Sequence, residues 1–230
     1  MKFSLRLLTL NLFSLILFLV VLIEILNGGT LVTFDHSMST AIHQIRSTSL
    51  TSLSIVIDIV FDLIPMVAIS ILLSIFFLRR YCNKFAFFFG ITMLFDAFVV
   101  LVLKELVKRP RPLGDIITKT DFGFPSGHTA NVVVFFGFLT YLAMHKIKSK
   151  TFKVIIISLS SFMILLIGFS RIYLNVHWLT DVISGFGLGV YILTGSIMLK
   201  EYTGKLKCAS KDNTILLTRK NVSDFTVFLI

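Results

Sequence analysis

Charge is scarce in this chain. Asp and Glu number 12 in 230 residues, and all charged types together make up 15%. Soluble domains carry roughly 25% charged residues. The deficit excludes a disordered chain, which is held open by polar and charged residues, and it excludes an ordinary cytosolic enzyme. Cysteine is nearly absent as well. Cys82 and Cys208 each sit among Lys or Arg residues, so no disulfide framework is implied. There is no internal repeat, no low-complexity segment and no compact His/Asp/Glu cluster with metal-ligand spacing. The rest of the chain is apolar: 56% of residues are hydrophobic and the mean hydropathy is +0.92. Such a composition predicts a polytopic membrane protein built as one bundle.

Six stretches are long and apolar enough to cross a bilayer: Leu7–Leu26, Ile55–Leu78, Phe85–Val107, Thr129–His145, Val154–Phe169 and Val182–Leu199. The first is too long for the apolar core of a signal peptide and no A-x-A-like cleavage site follows, so it reads as a retained helix. The fold class expected is all-α, a six-helix transmembrane domain over 1–200 followed by a basic tail over 201–230. Basic residues concentrate in the cytoplasmic loops of membrane proteins. With both termini inside, 15 of the 22 Lys and Arg fall on the cytoplasmic side and 7 on the other. The net charge of +10 therefore points to membrane topology rather than to nucleic acid. Between the first two spans, Asp35–Ser54 is polar, with Met38, Ala41, Ile42 and Ile45 at helical spacing. This fits either a short helix lying on the outer membrane surface or a plain loop. The sequon Asn221-Val222-Ser223 falls in the tail, where it would be unread.

The seven outer cations gather around three short segments. Lys104 to Pro112 places four cations at the end of the third span, where Arg offers a planar fork to two phosphate oxygens and Lys a mobile point charge. Phe124-Pro125-Ser126-Gly127-His128-Thr129 opens the fourth span with helix-start residues, whose free N–H groups suit an anion. Ser170 to Asp181 joins the last two spans, and His177 and Asp181 stand four apart, which on a helix places them on one face. Each segment alone has an ordinary explanation: a cationic helix end, an interfacial histidine, a surface pair. Together they fall on one face of the membrane and supply an anion cradle, a nucleophile and a proton donor.

The three segments resemble the signature of the type 2 phosphatidic acid phosphatase superfamily, the lipid phosphate phosphatases: K-x6-R-P, then P-S-G-H, then S-R-x5-H-x3-D. Lys104, Arg111 and Pro112 match the first part. Pro125, Ser126, Gly127 and His128 match the second, and Ser170, Arg171, His177 and Asp181 the third. No signature position departs from the pattern. The resemblance implies that His177 is the nucleophile, forming a phosphohistidine, that Asp181 orients it, and that His128 is the general acid. It implies that Lys104, Arg111, Ser126, Gly127 and Arg171 hold the phosphoryl oxygens, and that neither metal nor other cofactor takes part. The expected function is removal of a phosphoryl group from an outer-leaflet lipid in the cell membrane. Undecaprenyl pyrophosphate is the preferred candidate, beside phosphatidylglycerol phosphate and phosphatidate. A lipid-to-lipid phosphotransferase using the same site is the alternative, and a phospholipid transporter a more distant one. The partners implied are the lipid phosphate substrate and membrane lipids.

Four further points belong to the residues themselves. The linker from Leu113 to Phe124 is short, which predicts an open site. Asp58 and Asp62 lie near the outer end of the second span, where they are solvated or pair with a motif cation. Asp96 lies near the middle of the third span, without an evident role. Glu24, His36 and His43 lie near the outer surface.

Overall fold

The computed structural model of the chain describes residues 5–80 and 83–203. Its eight elements are all α-helices: α1 (Leu5–Leu26), α2 (Thr30–Gln44), α3 (Thr48–Val60), α4 (Leu63–Arg80), α5 (Asn83–Val107), α6 (Gly127–Lys146), α7 (Lys150–Tyr173) and α8 (Leu179–Thr203). Helices α1, α5, α6, α7 and α8 are each long and apolar enough to cross a membrane. The remaining part of the tail from residue 204, with Cys208 and Asn221–Ser223, lies outside the described residues, as does Cys82.

The second span is not one straight rod over Ile55–Leu78, as the sequence predicts. It is α3 and α4, bent by 54° at Phe61 and Asp62. Pro65 explains the break: its ring would meet the carbonyl of Phe61 four residues back and it lacks an N–H, so it fits only the first turn of a new helix. Asp62 then supplies a local acceptor, its Oδ1 taking the Leu63 N–H at 2.8 Å. The polar stretch between spans one and two is also more ordered than a loop. It forms α2 and the start of α3, with Ser47 capping α3 by accepting the Leu50 N–H.

Helix α6 is the centre of the bundle, with Val132, Val133 and Val134 fully buried. Phe77, Phe85, Phe89 and Phe138 pack edge to face across α4, α5 and α6, with ring centroids 5.2–6.3 Å apart. Helix α8 lies in a slot between α6 and α1. A Cβ on Gly185 would stand 2.5 Å from the Ser126 carbonyl oxygen, and one on Gly189 2.8 Å from that of Ala130. Gly187, on the opposite side of α8, faces the Ser14 carbonyl of α1 at 3.2 Å. These glycines let three backbones approach closely, the small-residue packing favoured between helices in lipid. Asn11 of α1 donates to the Tyr191 carbonyl and to Thr194 of α8, so the start of α1 and the end of α8 lie at the same end of the bundle. The outer surface is a belt of exposed apolar side chains, among them Phe13, Ile64, Phe98 and Leu165. A soluble monomer rarely carries so much contiguous apolar surface. The chain is a multi-pass membrane protein.

Candidate active site

Three connections meet at the other end of the bundle: the α3–α4 bend, the stretch 108–126 between α5 and α6, and the turn 174–178 between α7 and α8. They enclose a pocket of about 100 Å³. Lys104, Arg111, Gly127, His128, Arg171 and His177 all line it, so six of the eight residues singled out by the sequence come together.

The other two stand behind it. Ser126 is fully buried as the N-cap of α6. Its Oγ accepts the Thr129 N–H at 3.5 Å and shares a 3.0 Å hydrogen bond with the Thr129 hydroxyl. It shapes the helix opening and is not among the residues that line the pocket. Asp181 is fully buried beneath His177, with Oδ2 at 3.5 Å from Nδ1. The spacing argument held for a different reason than expected. His177 is not helical, and Asp181 lies in the first turn of α8, where Oδ2 accepts the Trp178 N–H at 3.0 Å. The chain's turn, not a shared helix face, brings imidazole and carboxylate together.

The turn itself rests on Asn175. Its φ of 57° is the left-handed conformation that ends helices and that Asn tolerates better than most residues. Its side chain donates to the Leu113 carbonyl and accepts from Ser39 of α2, tying two of the outer connections, 174–178 and 108–126, to α2.

Arg111 fixes the state of His177. Its Nη1 lies 3.2 Å from Nε2 and also donates to the Val176 carbonyl. A guanidinium has no acceptor atom, so Nε2 must receive this hydrogen bond and the ring proton must sit on Nδ1, facing Asp181. Burial pushes the His177 imidazole well below the ordinary histidine range, and Arg111 and Lys104 push it the same way. The ring is therefore neutral, with the lone pair of Nε2 on the pocket side.

His128 faces carboxylates. Its Nε2 is 3.4 Å from Asp58 Oδ1 and 3.8 Å from Asp62 Oδ1. Asp58 also accepts from Arg171, which is completely buried, and lies 3.2 Å from Lys119. Asp62 accepts from Lys119 at 3.1 Å. So Asp58 does pair with a motif cation, as one reading of the sequence held, and Lys119 joins the pocket without belonging to any motif.

Arg109 carries a role that the motif does not mark. Its guanidinium donates to Asp181 Oδ1 at 2.5 Å, to Asp35 Oδ2 at 2.7 Å and to the Thr180 hydroxyl at 2.7 Å. Asp35, on α2, also accepts the Thr180 N–H at 3.0 Å. This buried network clamps α2 onto the start of α8 and holds Asp181 against His177. The only available signal was four cations in nine residues, which does not say which of them turns inward. His36 packs edge-on to Trp178 at 4.7 Å, and His43 Nε2 lies 3.2 Å from Asn175, so both support the turn rather than line the pocket. Asp96 is buried in α5 and neither of its oxygens has a hydrogen-bond partner among the described residues.

Phosphatidylglycerophosphatase B of Bacillus subtilis (strain 168) is 29% identical over 203 residues, which cover 84% of this chain and 95% of that protein. Undecaprenyl-diphosphatase of Sulfolobus acidocaldarius is 31% identical over 51% of this chain and 58% of its own length. The crystal structure of a transmembrane PAP2-type phosphatidylglycerolphosphate phosphatase from Bacillus subtilis superposes with a TM-score of 0.71 at 26% identity, covering 87% of this chain and 98% of that one. Aquifex aeolicus LpxE shares the fold, with a TM-score of 0.52 over 71% of this chain and 93% of its own. The PAP2 superfamily model matches residues 85–205, more than half of the chain and all three pocket-forming motifs, and the chain belongs to that superfamily.

Proposed function

We propose that this chain hydrolyses the terminal phosphoryl group of a membrane lipid at the pocket between His128 and His177. The observation that carries the proposal is the convergence of Lys104, Arg111, His128, Arg171 and His177, drawn from three distant segments, on one small pocket. His177 Nε2 attacks phosphorus as the bond to the lipid oxygen breaks, giving a phosphohistidine. His128, as imidazolium, gives its proton to the departing oxygen; a phosphate dianion beside the ring favours that charged form. Lys104, Arg111, Arg171 and the Gly127 N–H hold the equatorial oxygens, where charge builds up. Asp181 keeps the Nδ1 proton in place and stabilises the ring as it becomes cationic. Water then attacks the phosphohistidine, with His128 taking the water proton, and inorganic phosphate leaves.

The pocket wall toward α4 and α5 is apolar, formed by Phe61, Leu63, Val100 and Leu101, and Leu63 and Leu101 are exposed on the bundle's surface. A lipid can present its head group there while its chains stay in the bilayer. The charge asymmetry of the sequence supports this end lying outside the cytoplasm, at the outer leaflet of the cell membrane. Phosphatidylglycerol phosphate is the first substrate to test, because the Bacillus subtilis relative with that printed activity aligns along nearly its whole length. Undecaprenyl pyrophosphate, preferred from the sequence, rests on a relative aligned over about half of each chain and comes second. Phosphate release from both lipids and from phosphatidate, measured in detergent, tests the proposal. Wild type should release phosphate and His177→Ala should lose at least about 10⁴-fold, as when a nucleophile is removed. Turnover in purified His177→Ala would falsify the nucleophile. Phosphoryl transfer to an added lipid without free phosphate would favour the phosphotransferase.

A further inference from the structure

Lys104 and Arg111 are bridged by a carboxylate that belongs to no motif. Asp121 Oδ2 accepts from Lys104 Nζ at 2.5 Å and Oδ1 accepts from Arg111 Nη2 at 2.7 Å. Two oxygens on one centre, spanning a lysine and an arginine, make the same contacts that two phosphoryl oxygens would make. Asp121 lines the same pocket as both histidines. Its side chain is 54% exposed, whereas those of Lys104 and Arg111 are 8% and 11% exposed, so the anion lies on the mouth side and the cations deeper.

Asp58 offers a contrast. It too neutralises a motif cation, Arg171, but it is buried on α3 and wedged among Arg171, Lys119 and His128. Asp121 stands in the 108–126 connection, which has no helix to hold it, and its exposed side leaves it a path to solvent. Burial alone would raise its carboxyl, but Lys104 and Arg111 beside it hold it well below the usual carboxylate range. It therefore stays ionised wherever a phosphatase would be assayed, and titration does not remove it from the cations.

We propose that Asp121 is a specificity-determining residue, a resident counter-ion that a phosphoryl group must displace from Lys104 and Arg111 in order to bind. This rests on the pocket being the phosphate site. The competition sets a threshold of charge. A phosphomonoester or diphosphate brings two or more negative charges and wins. A phosphodiester brings one, no more than Asp121 itself, and loses. The surrounding bilayer is full of phosphodiester head groups, so Asp121 keeps the cations from being occupied by ordinary phospholipid.

The test is direct binding to the full-length chain in detergent at pH 8, followed by the fluorescence of Trp178, the single tryptophan and the neighbour of His177. The probes are inorganic phosphate, a dianion, and dimethyl phosphate, a monoanionic diester. Wild type should bind phosphate and ignore dimethyl phosphate. Asp121→Asn should bind phosphate about tenfold more tightly, as expected for one ion pair no longer opposing the ligand, and should bind dimethyl phosphate measurably. Asp121→Glu, which keeps the charge, should behave as wild type, and Asp121→Ser serves in place of the Asn variant if that one does not fold. Unchanged or weaker phosphate binding in Asp121→Asn overturns the proposal, because the carboxylate would then only preorganise the cations. Tighter binding in Asp121→Glu overturns it too. If His177→Ala loses turnover while Asp121→Asn shows no gain, the phosphatase reading stands and this one fails. If neither wild type nor Asp121→Asn responds to phosphate, this proposal fails, and the phosphatase reading fails with it only if wild type also releases no phosphate from the lipids.

Discussion

His177 is held neutral by its surroundings, and the sign of its pH dependence follows. Burial, Arg111 and Lys104 all disfavour its charged form. The nucleophile should stay competent well into acid, so the acidic limb of the pH–rate profile should lie below about 6.5, the ordinary histidine value, while loss of the His128 proton in the substrate-bound state, where the phosphate dianion favours the imidazolium, sets the alkaline limb of kcat. A profile flat from pH 5 to 9 with chemistry rate-limiting would remove the acid/base assignment. The same ring makes stability pH-dependent. Unfolded, His177 takes up a proton below about pH 6.5; folded, it resists, so the unfolded state binds more protons and stability falls as the pH drops through that range. Arg109 provides the second prediction. Arg109→Ala leaves Asp35 and Asp181 buried without their shared cation, which costs about 3–5 kcal/mol for a broken buried pair. Thermal unfolding in detergent should show the loss, and turnover should fall because Asp181 is no longer held under His177. The motif side chains were legible in the sequence because chemistry fixes their spacing. Arg109 and Asp35 were not, since they are 74 positions apart and only the folded path of α2 brings them together.

Helix boundaries followed apolar length, and so five of the six expected spans correspond to single helices. The second span misled because hydropathy averages over a break. Ile55–Leu78 averages as apolar despite Asp58 and Asp62, and the interruption is signalled by Asp62 and Pro65, which the length criterion passes over. The break is what brings Phe61, Asp62 and Leu63 to the pocket wall. The glycines of α8 were equally silent, because Gly185-Phe186-Gly187-Leu188-Gly189 reads as two faces of close packing only once α6 and α1 flank it. Gly185 is the sensitive position. An added Cβ would press on the Ser126 carbonyl at 2.5 Å, which is backbone and cannot rotate away. Gly185→Ala should push α8 from the opening of α6, cost about 1–3 kcal/mol as overpacking does, and lower kcat by moving Ser126 to His128 relative to His177. Gly137 is the control. Its added Cβ would first meet the end of the Leu193 side chain, which can turn, and it lies in the α6 interior away from the pocket. Gly137→Ala should leave kcat within about twofold of wild type, as expected for a substitution remote from the reacting groups.

The bundle as a unit has two ends of opposite character. One carries the start of α1 and the end of α8; the other gathers the pocket, α2 and the seven cations that the positive-inside count leaves over. Five of those seven are neutralised within the fold. Lys104 and Arg111 face Asp121, Arg109 faces Asp35 and Asp181, and Arg171 and Lys119 face Asp58. A cation already paired within the fold adds little to the net positive charge that retains a loop in the cytoplasm. The counted excess at the other end therefore directs the topology, and the pocket end should face outward. Leu113 reports on this directly, being 91% exposed in the 108–126 connection and not part of the pocket lining. With Cys82 and Cys208 replaced by Ser, Leu113→Cys should react with a membrane-impermeant maleimide in intact cells as fast as in permeabilised ones. Labelling only after permeabilisation would invert the bundle and place its chemistry on the inner leaflet.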